Sequence, residues 1–487
     1  MKRQHPIAVL RYVSKNFWLL LIPLVRGLLA LKFDFYNWLS GAYLDILIVL
    51  AIFGAAFFRW WNINFKTTKK AIYVSSGLLV RETMRIPFSS VTTFTLKKPF
   101  IMRPLRAVTL YIDTDSSSTV NKPEDPDIKL VIREKDVQRM LKYIEPSSTS
   151  DEEKNERRYK PNKRRMLFFS LAFSSALSGL IYFGTFLIQG GKLVGDELEE
   201  RFLGAVDNVT KVAEKVIYGI TPMTVGIIII IGMGWLYSFV SNYLRHINFE
   251  ISKSINGVQI KSGFFSRWRY FISSDKINYA DLRQNLLMKI FRVMSVNISC
   301  SGYGKKKNEI PVFVPVTGNK NVAEVIERFL PEFSSEEGER YDVRAGYVMK
   351  FLGPPTVLIF AIILVFAGAV IFLPEWYSVA LFAAVMGEII AFHLLAVNLA
   401  AFLSNSVEVC EKSITVRYCK AFGFHNVIAP IDKISEIRIS QNFMQKFNGS
   451  CSFILYTRGE RAVKHTVRGM QLCDAEKAAE LLGYSAA

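Results

Sequence analysis

The sequence predicts an α+β membrane protein in which six transmembrane helices, arranged as three pairs, alternate with three small domains. Each domain is expected to be a bent β-sheet or barrel closed by a C-terminal helix. Three observations lead there. Long apolar runs come in pairs, the flanks of each pair are rich in Lys and Arg, and the segments between pairs repeat. Composition agrees but decides less. The 487 residues suggest about three or four domains. The 51% hydrophobic content would not by itself exclude a soluble chain. The net charge of +19 lies in the segments between the apolar runs, where anionic lipid or nucleic acid could attract it. A chain that also crosses a bilayer favours lipid.

Six runs approach or reach the roughly 20 residues that a helix needs to cross a bilayer. They are Asn16–Phe33, Ala42–Trp61, Met166–Ile188, Pro222–Leu244, Pro354–Leu373 and Trp376–Phe402. Pro23 and Arg26 interrupt the first, which also lacks the small-residue cleavage site of a signal peptide. Lys2, Arg3, Arg11 and Lys15 precede the first run, Arg59, Lys66, Lys69 and Lys70 follow the second, and six cations between Arg157 and Arg165 precede the third. Short loops inside the first and third pairs hold only Lys32. The positive-inside rule then places both termini and all three inter-pair segments in the cytoplasm. Between runs three and four, Leu198, Phe202, Ala205, Val209, Val212 and Val216 form one helical stripe with an acidic opposite face. This loop, 190–221, is expected to lie on the membrane or on its neighbours, or to meet an extracytoplasmic partner.

The segments between pairs align as three ungapped blocks, starting at Ile86, Ile272 and Ala429. Asp275, Lys276, Ile277 and Asn285 of the second recur as Asp432, Lys433, Ile434 and Asn442 of the third. Arg81 matches Arg267, and Arg106 matches Arg292. Each block ends in period-two alternation, as in Val108, Leu110 and Ile112, which is a half-buried strand. Ser76-Gly77 and Ser262-Gly263 mark turns upstream. Helical patterns at Val137–Ile144, Val322–Phe329 and Ala475–Leu482 close the domains. The predicted organisation is membrane pair 1 over 1–63 and domain 1 over 64–146, then a polar linker over 147–165. Pair 2 covers 166–246, domain 2 covers 247–333, a linker covers 334–353, pair 3 covers 354–403 and domain 3 covers 404–487. A serine-rich stretch within 113–127 is expected to be a hairpin tip.

Ser76-Gly77-Leu78-Leu79 with Ile86-Pro87, Ser262-Gly263-Phe264-Phe265, and Ala429-Pro430-Ile431-Asp432-Lys433-Ile434 resemble the bacterial pleckstrin-homology-like domain membrane proteins of the YdbS/YdbT-like family. The resemblance covers nearly the whole chain, with Ser273 and Lys420 departing from its pattern. It implies a strongly bent seven-stranded sheet with a C-terminal helix in each copy. It implies neither an enzymatic activity nor a settled ligand.

The residues add no catalytic constellation. The five histidines form no HExxH or similar cluster, and no GxSxG, Walker or dinucleotide motif is present. No cofactor or metal is therefore expected. Gly302-Tyr303-Gly304 followed by Lys305, Lys306 and Lys307 lacks the GK[ST] ending of a phosphate loop and is read as a basic hairpin tip. The five cysteines show no CxxC pair and are expected to be reduced, buried thiols.

Two groups of residues remain. The polar residues within predicted spans are Arg26, Asp45, Glu388, His393 and Asn398. Arg26 and Asp45 would lie at similar depth and could pair. The other three do not share one narrow helix face, so interhelical hydrogen bonds compete with a proton or ion relay. The cations Arg81, Arg85, Lys97, Lys98, Arg103 and Arg106 crowd domain 1, and Lys261, Arg267, Arg269, Lys289, Arg292 and Lys305–Lys307 crowd domain 2. Tethered beside an anionic leaflet, each would contribute on the order of 1 kcal/mol of attraction. The sequence therefore points to a non-enzymatic membrane scaffold that engages anionic lipid or a protein partner. A part in envelope integrity, such as tolerance of membrane-active peptides, suits that design. The alternative is a transporter or lipid-handling protein with a path through the six helices. Nucleic-acid binding rests on charge alone and is not expected.

Overall fold

The structure is a computed structural model that describes residues 1–15, 35–77, 80–114, 126–144, 158–172, 204, 207–211, 222–254, 257–300, 302–303, 312–334, 338–459 and 462–483. Within them three units repeat one plan. Unit 1 comprises strand β1 (Lys2–Arg3), helices α1 (Ala8–Lys15) and α2 (Phe35–Asn62), strands β2 (Asn64–Thr67), β3 (Ala71–Ser76), β4 (Glu82–Pro87), β5 (Val91–Pro99), β6 (Ala107–Thr114) and β7 (Ile128–Arg133), and helix α3 (Glu134–Ile144). Unit 2 comprises β8 (Arg158–Tyr159), α4 (Lys163–Ala172) and α5 (Pro222–His246). Strands β9 (Glu250–Ser254), β10 (Gly257–Ser262), β11 (Ser266–Ser273) and β12 (Ile277–Gln284) follow. It closes with α6 (Leu286–Ile290), β13 (Val293–Cys300), β14 (Val312–Gly318) and α7 (Val322–Phe329). Unit 3 comprises β15 (Glu339–Asp342), α8 (Val348–Phe372) and α9 (Tyr377–Ser404). Strands β16 (Ser406–Val409), β17 (Ser413–Lys420), β18 (Gly423–Pro430) and β19 (Ile434–Ser440) follow. It closes with α10 (Phe443–Phe447), β20 (Ser450–Thr457), β21 (Val463–Gln471) and α11 (Leu472–Leu481).

The closing helices fall where the 3.6-residue patterns place them. Val322, Val325, Ile326 and Phe329 of α7 all face the core. Two stretches read as linkers carry more order than expected. Arg158–Tyr159 and Glu339–Asp342 are strands that pair antiparallel with β9 and β16. In unit 1, β1 pairs in the same way with β2. Each unit therefore ties the chain just before its helical segments to the first strand after them. A two- to four-residue strand holds too little alternation to show in a sequence.

The sheets do not stop at unit boundaries. Strands β1–β4 form one four-stranded sheet, and β19–β21 form a three-stranded one. Between them lie two seven-stranded sheets, ordered β7-β6-β5-β11-β10-β9-β8 and β14-β13-β12-β18-β17-β16-β15. The last three strands of one unit thus continue into the first strands of the next. At the first seam Phe94 lies opposite Phe271, and at the second Ala280 lies opposite Ile428. Under the ungapped repeat these pairs are equivalent, so the two seams share one register. Each core also takes a residue from the following unit. Phe271 joins the core of Phe94, Leu110 and Ile132, and Ile428 joins that of Val296, Phe313 and Phe329.

The equivalence reaches the backbone. Arg106, Arg292 and Gly449 occupy corresponding turns and have φ of 48°, 51° and 60°. This left-handed conformation costs an L-residue roughly 1–2 kcal/mol and suits glycine. The arginine match between units 1 and 2 therefore marks a turn before strands β6 and β13.

Two helical segments, 345–372 and 374–404, are long and apolar enough to cross a membrane. At ~1.5 Å per residue either exceeds a hydrocarbon core of ~30 Å. Helices α2 and α5 coincide with the second and fourth predicted spans. The first predicted span lies outside the described residues, as do most of the third and most of loop 190–221. Arg26 lies outside them as well, and the structure does not describe the side chain of Asp45, so their pairing is not addressed. All five cysteines are free, but Cys473 is exposed and Cys419 only half-buried, contrary to the expectation of buried thiols. It follows the first residue of α11, whose inward positions are Ala475, Ala478 and Ala479.

Candidate membrane-facing site

The link from β5 to β6, from β12 to β13 and from β19 to β20 is a short helical turn in every unit, and its apolar side chains point outward. In unit 1 it carries Phe100, Ile101 and Leu105, in unit 2 Leu286, Leu287, Ile290 and Phe291, and in unit 3 Phe443 and Phe447. Ile101, Ile290 and Phe447 remain 70%, 68% and 75% exposed. The turns are capped locally: Asn285 accepts from the Met288 amide, and Asn442 forms a reciprocal capping box with Gln445. Scattered exposed apolar residues need no explanation, but clusters at equivalent positions do.

Each turn sits beside the helix that leads its own unit, α1, α4 or α8. In unit 1, Met102 packs with Ala8, Tyr12 and Ala56. In unit 2, Phe291 meets Phe168 of α4 with ring centroids 4.7 Å apart. In unit 3, Tyr347 donates to the Asn448 carbonyl at 3.0 Å, and the Lys350 ammonium donates to the Ser450 hydroxyl. The apolar tips therefore share a level with the helix ends.

The cations singled out from sequence are partitioned among several tasks. Strand pairing sets Lys98 opposite Arg267 and Lys97 opposite Trp268 at the first seam. Like charges opposed across strands repel, and Lys98 is neutralised by Glu134 at 2.7 Å. Lys97 lies 4.5 Å from the Trp268 ring centre, and Trp268 stacks in turn on Tyr270. Arg103 donates to the carbonyls of Phe264 and Phe265. Lys289 lies over Phe424 of unit 3 at 4.0 Å. Thus Lys97, Arg103 and Lys289 bridge units, while Arg267 and Arg269 stay exposed. Arg81 donates to Ser75 at 2.9 Å, and Arg85 reaches the Tyr73 ring on the far edge of unit 1. Lys305–Lys307 lie outside the described residues. The seam itself was not readable from the charges, because two basic clusters look alike whether they share a strand pair or not.

A cavity of about 810 Å³ opens between α1, α2 and the unit 1 sheet. Arg11, Arg59 and Lys129 line it, together with Tyr12, Gln4, Asp127 and Glu82. Arg11 and Arg59 flank the Tyr12 ring at 4.9 and 5.5 Å. Gln4 is 2% exposed, and its Oε1 accepts from the Tyr12 hydroxyl at 3.4 Å. Its Nε2 is buried without a hydrogen-bond partner among the described residues. A buried donor left unmade is costly, so an acceptor belongs there.

Within the membrane pair of unit 3, both carboxylate oxygens of Glu388 are shielded and have no partner among the described residues. His393 lies edge-on to Phe422 at 5.3 Å, at the tip of the β17–β18 hairpin. Asn398 is half-buried five residues further on. The structure does not bring these three together. It does assemble a cluster that the sequence did not reveal. At the second seam His425 Nδ1 lies 2.8 Å from Asp281, Tyr418 stacks on His425, and the Tyr418 hydroxyl lies 3.2 Å from His465 Nδ1. Burial lowers the His465 pKa to about 4 and raises that of Tyr418. Among the described residues no group of three or more His, Cys, Asp or Glu could hold a metal ion.

The model of the bacterial PH domain matches three stretches of the chain, 17–147, 201–330 and 356–486. The chain belongs to the bacterial PH domain family. Its three copies are the three units described above. The chain is also similar to the UPF0699 transmembrane protein YdbT of Bacillus subtilis (strain 168), at 21% identity over 398 residues, which is 74% of this chain and 77% of that protein. It is thus a membrane-associated PH-domain protein of the YdbT family. The three matched stretches include helices α2, α5 and α9 as well as the sheets, so the family pattern includes helices as well as sheet.

Proposed function

We propose that the chain is a non-enzymatic integral membrane scaffold whose three PH domains lie along the inner leaflet and engage anionic lipid. One observation carries this reading. At all three equivalent positions an exposed apolar turn sits at the level where its unit's membrane helices begin. Aromatic and aliphatic tips flanked by cations suit the headgroup boundary, where apolar burial and attraction to anionic lipid add. The cavity holding Arg11, Arg59 and Lys129 supports the same reading, with a phosphate oxygen as the acceptor for Gln4. The strand pairs β1–β2, β8–β9 and β15–β16 bring the chain back to the side from which it left. That supports three helical hairpins, six crossings and PH domains on one face, which the positive-inside rule makes cytoplasmic.

The test places an environment-sensitive probe at Ile101→Cys, Ile290→Cys and Phe447→Cys in turn, in the full chain in vesicles, with Cys473→Ser as background. Quenching by lipid-borne quencher and protection from aqueous quencher, both stronger with anionic lipid, are the expected results. Free aqueous quenching at all three positions would sink the proposal. A second reading, transport through the helices, is favoured by the unpartnered carboxylate of Glu388. Unchanged ion or lipid flux in reconstituted E388Q would remove it.

A further inference from the structure

Among the described residues, two strands equivalent to those that form the internal seams have no neighbour on that side, β4 at one end and β19 at the other. Both are the equivalents of strands that are paired elsewhere. Strand β4 corresponds to β11 and β18, and β19 corresponds to β5 and β12. The exposure reflects this. Thr92, Thr93, Phe94 and Thr95 of β5 are buried, whereas Ser435, Glu436 and Arg438 at the same positions of β19 are exposed. Glu82 through Arg85 of β4 are exposed as well. An unpaired edge is a ready template for another strand.

We propose that β19 of one copy pairs with β4 of a second copy of this chain, repeating the internal seam between molecules. The register follows from the repeat. Phe94 opposite Phe271 and Ala280 opposite Ile428 translate to Ile437 opposite Arg85, which sets Arg438 opposite Met84 and Ile439 opposite Thr83. The charges agree with that register. At the second seam one polar side-chain contact between units is His425 to Asp281 at 2.8 Å. The equivalent residues across the new seam are Glu82 and Arg438, an oppositely charged pair at the same diagonal spacing, with the polarity reversed. Cross-strand charge pairs of this kind favour one register over its neighbours. The geometry also respects the membrane. The internal seams relate units that all keep their tips beside their membrane helices, so a third seam of the same register keeps the next copy in the same bilayer.

The contact is heterologous, joining head to tail. It closes a ring where the rotation permits and otherwise extends a row. It is also weaker than the internal seams. Arg85 stands where Phe271 and Ile428 enter the preceding core. A guanidinium there adds no apolar burial, so the association is reversible and adjustable at one residue.

The experiment uses the full chain in native membranes with Cys473→Ser. One tagged copy carries Met84→Cys, and a differently tagged copy carries Arg438→Cys. Facing positions lie within roughly 4.5–5.5 Å at Cβ, close enough for a short cross-linker. A cross-link between the two tags is expected, several-fold above that given by either variant alone or by Met84→Cys with Ile439→Cys, which points to the other face. Adding Arg85→Phe to the first copy should raise the cross-linked fraction, and charge reversal at Arg438 should lower the association measured by tag co-isolation. Mass measurement of the unmodified chain in lipid discs should show multiples of 55.4 kDa. Only monomers, a cross-link confined within one chain, or a cross-link only to another protein would each overturn the proposal.

Discussion

The two seams are built on one register with different chemistry. The first buries Phe94 against Phe271, edge to face at 6.1 Å, and sets Lys97 over Trp268. The second places small Ala280 opposite Ile428 and gathers Asp281, His425, His465, Tyr418 and Tyr279. Backbone hydrogen bonding sets the alignment in both, so side chains were free to diverge. One seam is held by apolar and cation–aromatic contact. The other is held by a polar cluster that can respond to protons.

That contrast can be broken most sharply at the first seam. Phe271→Ala should cost about 3–5 kcal/mol, the usual range for a buried aromatic truncated in a core. The measurement is thermal unfolding of the detergent-solubilised chain with proteolysis of each PH domain. PH domains 1 and 2 should become sensitive while PH domain 3 does not. Equal sensitivity of all three would contradict separate seams.

Acid should act on the second seam. Unfolded His465 takes up a proton below about 6.5, whereas the folded, desolvated ring takes it up only near about 4. Its contribution to stability is therefore complete above pH 6.5 and is lost as pH falls from 6.5 to 4. The loss reaches about 3 kcal/mol as an upper bound. Release of PH domain 3 by protease should rise over that interval, and His465→Phe should flatten the rise. A pH-independent pattern in the parent chain would remove His465 from the account.

The smallest effect belongs to Lys97→Ala. Loss of its contact with Trp268 should cost about 0.5–1 kcal/mol. Comparing unfolding midpoints with those of Lys97→Arg checks this, since arginine should restore most of the difference. A loss as large as that of Phe271→Ala would mean that the cation, not apolar burial, dominates the first seam.

Much of this architecture was legible locally. The Ser-Gly turns, the period-two strands and the closing helices recur at fixed offsets, and the repeat equates the corresponding turns of the three units. The candidate site was legible only in part. Lys97, Lys98, Arg267 and Arg269 were visible as charges, but their convergence on one seam was not. Phe100, Ile101, Leu287 and Ile290 were hidden within blocks read for strand and turn pattern, and only their exposure beside helix ends singles them out. Gln4 carried no signal at all, because a buried amide is recognised by what surrounds it.

By itself the sequence determined three copies of one unit, the placement of apolar segments and the family to which the copies belong. Those are properties of local periodicity and of residue identity at fixed spacing. Tertiary structure decided that the units share their sheets, that short strands before the helical segments close each unit, and that β4 and β19 have an unpaired edge among the described residues. Sheet extension is made by main-chain N–H and C=O groups, which every residue carries. Which edges meet therefore depends on how whole units are placed, and that leaves no mark on any one stretch of side chains.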